Sequence, residues 1–99
     1  MTQDFVVRVF FRKVSDAENM QNHLLNLDLD SDYVEAEKTE PGTFKLIFTA
    51  DSLATATKAM KETCYLSEKS EKPRWFPRPT HYDIFNPAEV EAGFTKFSV

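Results

Sequence analysis

One histidine and one aspartate are spaced so that they could share a proton or a metal ion. His81 and Asp83 lie two residues apart, and a carboxylate beside an imidazole can orient it as a base or help to hold a metal. Two ligands are too few for either task, and the other histidine, His23, belongs to a different predicted element. We therefore expect no catalytic residue and no metal site in this chain.

A second spacing, in the acidic segment 28–32, is partly that of a calcium-binding loop. Asp28, Asp30 and Asp32 take the first, third and fifth positions of such a loop. However, Tyr33 stands where the loop needs glycine, and Thr39 stands where it needs a bidentate glutamate. The segment is therefore expected to be a solvated connection in which the aspartates form turns.

The single cysteine, Cys64, limits the chemistry further. One cysteine forms no intrachain disulfide and no multi-cysteine zinc site. It is expected near the C-terminal end of a helix, where the helix dipole disfavours a thiolate, so we interpret it as a buried apolar side chain. The sequence also lacks a phosphate-binding glycine loop and a G-x-S-x-G motif. It predicts neither an enzyme nor a bound cofactor.

Binding, by contrast, is suggested by residues 72–83, which combine three prolines with aromatic and basic side chains. Proline fixes φ and lacks an N–H, so this stretch cannot run as a helix or a central strand. Aromatic and arginine side chains are the usual anchors of binding surfaces. Either the segment docks on a partner, or its aromatic rings pack on the protein's own sheet. The candidate partner-binding residues here are Arg74, Trp75, Phe76, Arg78, His81 and Tyr82.

The elements that must position these residues follow from periodicity and turn signals. Residues 5–12 alternate as a strand, with Phe5, Val7, Val9 and Phe11 on one face and Val6, Arg8, Phe10 and Arg12 on the other. Ser15 to Glu18 has the pattern of a capping box and predicts a helix over about 16–27. Strands at 33–38 and 43–49 form a hairpin around Pro41 and Gly42. A second helix, capped by Asp51 or Ser52, is expected to reach about residue 65.

Together these elements predict an α+β fold with a small antiparallel sheet and two helices on one face. The expected order is a ferredoxin-like βαββα(β) arrangement with a Pro/aromatic-rich C-terminal arm. Ninety-nine residues make a single domain, 1–99. Within it, 1–65 is the expected βαββα core and 66–99 an irregular arm. The arm is expected to hold a short helix after Asn86 and Pro87, and a strand at 94–99 that the sequence leaves either in or out of the sheet.

Charge is unevenly distributed along the chain. The net charge is −4, but residues 15–42 hold eight acids against the lone Lys38. No apolar run approaches the length of a membrane span and no signal peptide is readable, so we expect a cytoplasmic protein without a membrane partner.

Two functions remain open. The first is a small non-catalytic protein that binds another protein, as an inhibitor or adaptor, through residues 72–83 or through an acidic face. The acidic face would hold Asp28, Asp30, Asp32, Glu35 and Glu37. The alternative is a nucleic-acid or nucleotide-binding module that uses Arg8, Arg12, Arg74 and Arg78 with aromatic rings such as Phe10, Phe44 and Phe48. The edge strands of such a sheet can pair with those of a second copy, so a homodimer is compatible with either function.

Overall fold

The computed structural model describes residues 4–27, 29, 31–35, 42–65 and 76–98, with residues 31–35 and 98 as backbone only. The elements, in chain order, are strand β1 (Phe5–Phe11), helix α1 (Val14–Asn26), strands β2 (Ser31–Glu35) and β3 (Phe44–Ala50), helix α2 (Leu53–Thr63), strand β4 (His81–Phe85), a 3₁₀ turn (Val90–Ala92) and strand β5 (Phe94–Ser98).

The strands form one sheet in the order β2-β3-β1-β4-β5, and every neighbouring pair is antiparallel. β1 is central, with Val7 opposite Phe48 of β3 and opposite Ile84 of β4. Directly paired residues share a face of the sheet, so the two faces can be followed from strand to strand. The edges of the sheet are β2 and β5.

Both helices pack on the same face of this sheet. The side chains of Val7, Val9 and Phe11 from β1 are fully buried there, together with alternate residues of β3. Helix α1 contributes Ala17, Met20 and Leu24 to the same core, and α2 contributes Ala56, Ala59 and Met60. The alternation predicted for β1 is therefore confirmed. The opposite face of the sheet, here called the open face, carries Arg8 and Phe10 of β1.

The two helices begin differently. Ser52 caps α2, because its hydroxyl oxygen accepts a hydrogen bond from the backbone N–H of Thr55 at 3.1 Å. Helix α1 starts earlier than the predicted capping box, with Lys13 at the cap position and no side-chain cap hydrogen bond. The predicted Ser15 cap is therefore wrong, since Ser15 already lies within the first helical turn.

The α+β class, the antiparallel sheet and the two helices are confirmed, but the description of 66–99 as an irregular arm needs correction. Residues 81–85 form β4 and pair along β1, so this part of the chain belongs to the sheet. The proline segment ends at Pro79, and β4, which begins two residues later, contains no proline and can form the backbone hydrogen bonds of a central strand. The short helix expected after Pro87 is only a 3₁₀ turn, while 94–98 does join the sheet as its fifth strand.

Within the described residues, neither helix is long and apolar enough to cross a membrane.

Candidate functional site

The strongest candidate site lies on the open face, where β1, β4 and β5 run side by side. Strand pairing sets Arg8 opposite Asp83, Phe10 opposite His81, and Phe85 opposite Phe94. We call Arg8, Phe10, His81, Asp83 and Phe94 the open-face cluster. The helices pack on the other side of the sheet, so neither α1 nor α2 covers these residues.

At the centre of the cluster, Arg8 forms a two-pronged ion pair with Asp83. The Arg8 Nε donates to Asp83 Oδ1 at 2.8 Å, and the Nη2 donates to Oδ2 at 2.6 Å. Asp83 is only 7% exposed, so its charge depends on this partner rather than on water. Both oxygens of Asp83 thus accept hydrogen bonds from Arg8, and no hydrogen bond between Asp83 and His81 is seen, although the two lie only two residues apart in the sequence.

The same guanidinium group also contacts the edge strand β5. Its central carbon lies 3.6 Å from the ring centroid of Phe94 on β5 and 5.9 Å from that of Phe10. A planar cation stacked on an aromatic face is attracted by the ring quadrupole. Arg8 therefore connects three strands, β1 through its backbone, β4 through Asp83 and β5 through Phe94.

Beside the ion pair, two aromatic rings stack across neighbouring strands. The rings of Phe10 and His81 lie 4.4 Å apart between centroids and 14° from parallel. Thr80 fixes this end of β4, because its N–H donates to the carbonyl oxygen of Phe10 at 2.8 Å and its Oγ1 lies 3.0 Å from the His81 Nδ1. Both rings are half-buried, so part of each ring is exposed to solvent.

Two lysines border the cluster. Lys45 is paired with Phe10 across β1 and β3, and Lys96 is paired with Asp83 across β4 and β5. Lys96 is exposed and forms no ion pair with any of the described side chains. The open face therefore combines aromatic rings, one neutralised arginine and peripheral positive charge.

The candidate residues at the end of the proline segment lie on the helix side instead. The ring of Phe76 stacks on His23 of α1 at 4.9 Å between centroids. Arg78 places its guanidinium 4.1 Å from the ring centroid of Tyr65. Pro77 is fully buried, and its carbonyl oxygen accepts from the Tyr65 N–H at 2.8 Å. This end of the segment packs on the protein's own helix layer, whereas the alternative to docking was packing of the aromatic rings on the sheet.

Asp16 lies near this helix-side group. Burial raises the pKa of its carboxyl group, while the positive charges of Lys13 and Arg78 act in the opposite direction. Tyr82 also faces the helix side, where it packs against the core and stacks on Phe97 of β5 at 5.0 Å. Burial raises the pKa of the Tyr82 hydroxyl. Phe76, Arg78 and Tyr82 therefore do not share a surface with His81.

The acidic candidates are placed only in part. Asp32 and Glu35 belong to β2, where they pair with Ile47 and Phe44 of β3. The other candidates from the two predicted surfaces, Asp28, Asp30, Glu37, Arg74 and Trp75, lie outside the described residues.

The aromatic residues considered for base stacking are divided between the two faces. Phe44 and Phe48 point to the helix side, where Phe48 is 1% exposed, whereas Phe10 is on the open face. Phe44 and Phe48 therefore cannot join Phe10 in one stacking surface. Phe94 and the Arg8–Asp83 pair were not singled out as a site from the sequence. The alternation of β1 did place Arg8 and Phe10 together, and that is the signal from which the site could have been found.

Cys64 is a core residue. It is 1% exposed, its Sγ lies 3.3 Å from the sulfur of Met20, and burial raises the pKa of its thiol to about 12. A nucleophilic cysteine needs the opposite environment, one that is accessible and lowers the pKa. Among the described residues, no group of three or more His, Cys, Asp or Glu side chains could hold a metal ion.

No protein-family model, no curated protein and no solved structure matches this chain.

Proposed function

We propose that the protein is a non-catalytic binding protein that docks a partner protein on its open face. The observation that carries the proposal is the open-face cluster, an arginine and three rings on a sheet face that neither long helix covers. Occupying a partner's surface in this way is how a small inhibitor or adaptor acts.

Composition and charge favour protein over nucleic acid as the partner. Interface cores are enriched in aromatic residues and arginine and depleted of uncompensated charge. Here Arg8 is neutralised by Asp83, whereas binding to a phosphate backbone depends on cations that remain free to replace counterions. At the border of the cluster, the described lysines that could serve that purpose are Lys45 and Lys96.

The rigidity of the cluster supports the same function. Arg8 is held by two hydrogen bonds and a stacked ring, and His81 is held by Phe10 and Thr80. Side chains that are already ordered lose less conformational entropy when a partner binds. The order β2-β3-β1-β4, with α1 after β1 and α2 after β3, supports the further proposal that the core is ferredoxin-like and that β5 is an addition to it.

Affinity capture from lysate of the native cell tests the proposal. The bait is the wild-type chain or the double variant Phe10→Ala, His81→Ala, after the two have been shown to melt cooperatively. The matched control removes two exposed apolar side chains from the helix layer, Leu25→Ala with Leu53→Ala, which are 55% and 50% exposed.

We expect one protein to be captured by the wild type and by the control, with retention at least ~10-fold lower on the open-face variant. Equal capture by all three baits would place the binding surface elsewhere. Recovery of nucleic acid that is lost as salt rises would instead support the alternative function, a nucleic-acid-binding module.

A further inference from the structure

The outer edge of β5 lies beside the open face and pairs with none of the strands that the structure describes. β5 ends the sheet, so one side of it pairs with β4 and the other side pairs with no described strand. The backbone N–H and C=O groups along such an edge can take up a further strand. This edge borders the open-face cluster, because Phe94 belongs to both.

The side chains of β5 show which strand would fit. Phe94 and Phe97 are each 37% exposed and point to opposite faces of the sheet, while Lys96 lies between them. Lys96 lies opposite Asp83 on β4, but the Asp83 carboxylate binds Arg8, so Lys96 has no ion-pair partner among the described residues. An added strand that carried a carboxylate opposite Lys96 would supply that partner, and apolar residues opposite Phe94 and Phe97 would cover the two rings.

Lys96 also argues against β5 of a second copy as the occupant. If two copies of β5 paired antiparallel over their full length of five residues, Lys96 of one would lie directly opposite Lys96 of the other. Like charges directly opposite each other are destabilising, and a lysine in a short edge strand is a common protection against self-pairing.

We propose that β5 binds an extended acidic segment of the partner protein by strand addition. In the antiparallel orientation the segment reads apolar, acidic, any residue, apolar, opposite Phe97, Lys96, Thr95 and Phe94 in turn. This inference rests on the proposed function and adds to it the chemistry of the partner. The sheet gains a sixth strand, and the partner's chain continues from the edge onto the open-face cluster.

The test uses a synthetic eight-residue peptide with blocked ends. It carries Val, Glu, Thr and Leu at the four positions defined above and two Thr at each end. One control peptide has Lys in place of Glu. A second control keeps the side chains but is N-methylated at alternate residues, which removes the N–H groups that strand addition needs. Binding is followed by amide chemical shifts and by amide hydrogen exchange in the full chain.

We expect the Glu peptide to bind with a Kd on the order of 100 µM and to slow hydrogen exchange along β5. The Lys peptide should bind at least ~10-fold more weakly, and Lys96→Glu should reverse that preference, because the charge at the centre of the edge is then reversed. The N-methylated peptide should not bind. Absence of binding at ~1 mM, equal binding of the N-methylated peptide, or shifts that avoid β5 would each overturn the proposal.

The failure of this inference can be separated from failure of the proposed function. If Lys96→Glu leaves capture of the protein partner unchanged while Phe10→Ala with His81→Ala abolishes it, the open face binds the partner and strand addition is wrong. If neither change affects capture, both proposals fail.

Discussion

Truncation of Arg8 should be the most informative single change in the protein. Arg8→Ala leaves Asp83, which is 7% exposed, as a carboxylate without its partner. Breaking a fully buried ion pair from one side costs about 3–5 kcal/mol. The Arg8 side chain is itself 31% exposed, so water can partly replace it, and we reduce the cost to about 2 kcal/mol.

Loss of the stacked guanidinium on Phe94 adds about 0.5–1 kcal/mol, for a total of about 2–3 kcal/mol. For a domain of this size, each kcal/mol lowers Tm by about 4–8 °C, so Tm should fall by roughly 10–20 °C. Urea unfolding measures the free energy directly, and amide exchange should show the largest loss of protection in β5. Arg12→Ala is the matched control, since Arg12 is exposed just beyond β1, and it should change stability by less than about 0.5 kcal/mol.

Truncation of the two residues of the ion pair should not cost the same stability. Asp83→Ala leaves Arg8 able to turn toward water and should cost about 1 kcal/mol, less than Arg8→Ala, because the more exposed group is then the one left unpaired. An Arg8→Ala cost no larger than that of Arg12→Ala would refute the reasoning. So would a larger cost for Asp83→Ala than for Arg8→Ala.

Three further predictions concern the cap, the thiol and salt. Ser52→Ala should lower the free energy of unfolding by about 1 kcal/mol through loss of the hydrogen bond from the Thr55 N–H, whereas Ser15→Ala should cost clearly less in the same urea titrations; equal costs would contradict the assigned caps. The pKa of Cys64 is about 12 in the fold against an ordinary 9.0, so the unfolded chain loses its thiol proton first. Stability from this group is complete below pH 9.0 and falls toward pH 12, by at most about 1.4 kcal/mol per pH unit. Cys64→Ala should remove that part of the decline, and parallel pH curves would show that the thiol does not contribute. Finally, partner affinity should change by less than roughly tenfold between about 50 and 200 mM salt, because Arg8 is already neutralised; a loss of about 10³ would indicate phosphate contacts.

The strands and helices that could be predicted are those with a local pattern. Period-two alternation in β1 assigned Arg8 and Phe10 to one face of the strand and Val7 and Val9 to the other. These predictions succeed because burial of one face is what makes each element stable. Such predictions do not depend on which strands are neighbours in the sheet.

The site itself depends on pairing that no local pattern encodes. Arg8 and Asp83 are 75 positions apart in the chain, and they meet only because β4 pairs with β1 in one particular register. The prolines before residue 80 also predict an irregular segment there, although Tyr82, Ile84 and Phe85 just after them are typical strand residues. Spacing along the chain associates His81 with Asp83, whereas in the fold its ring stacks on Phe10.

Photo-crosslinking from the open face would test the proposed docking surface most directly. A photoreactive phenylalanine analogue placed at Phe10 keeps an aromatic ring in the cluster, and the same analogue at Leu25, which is 55% exposed on α1, serves as the control. Both proteins are irradiated in lysate of the native cell. We predict one protein adduct from position 10 and none from position 25. An adduct from position 25 alone, or an adduct to nucleic acid from position 10, would contradict docking of a protein partner on the open face.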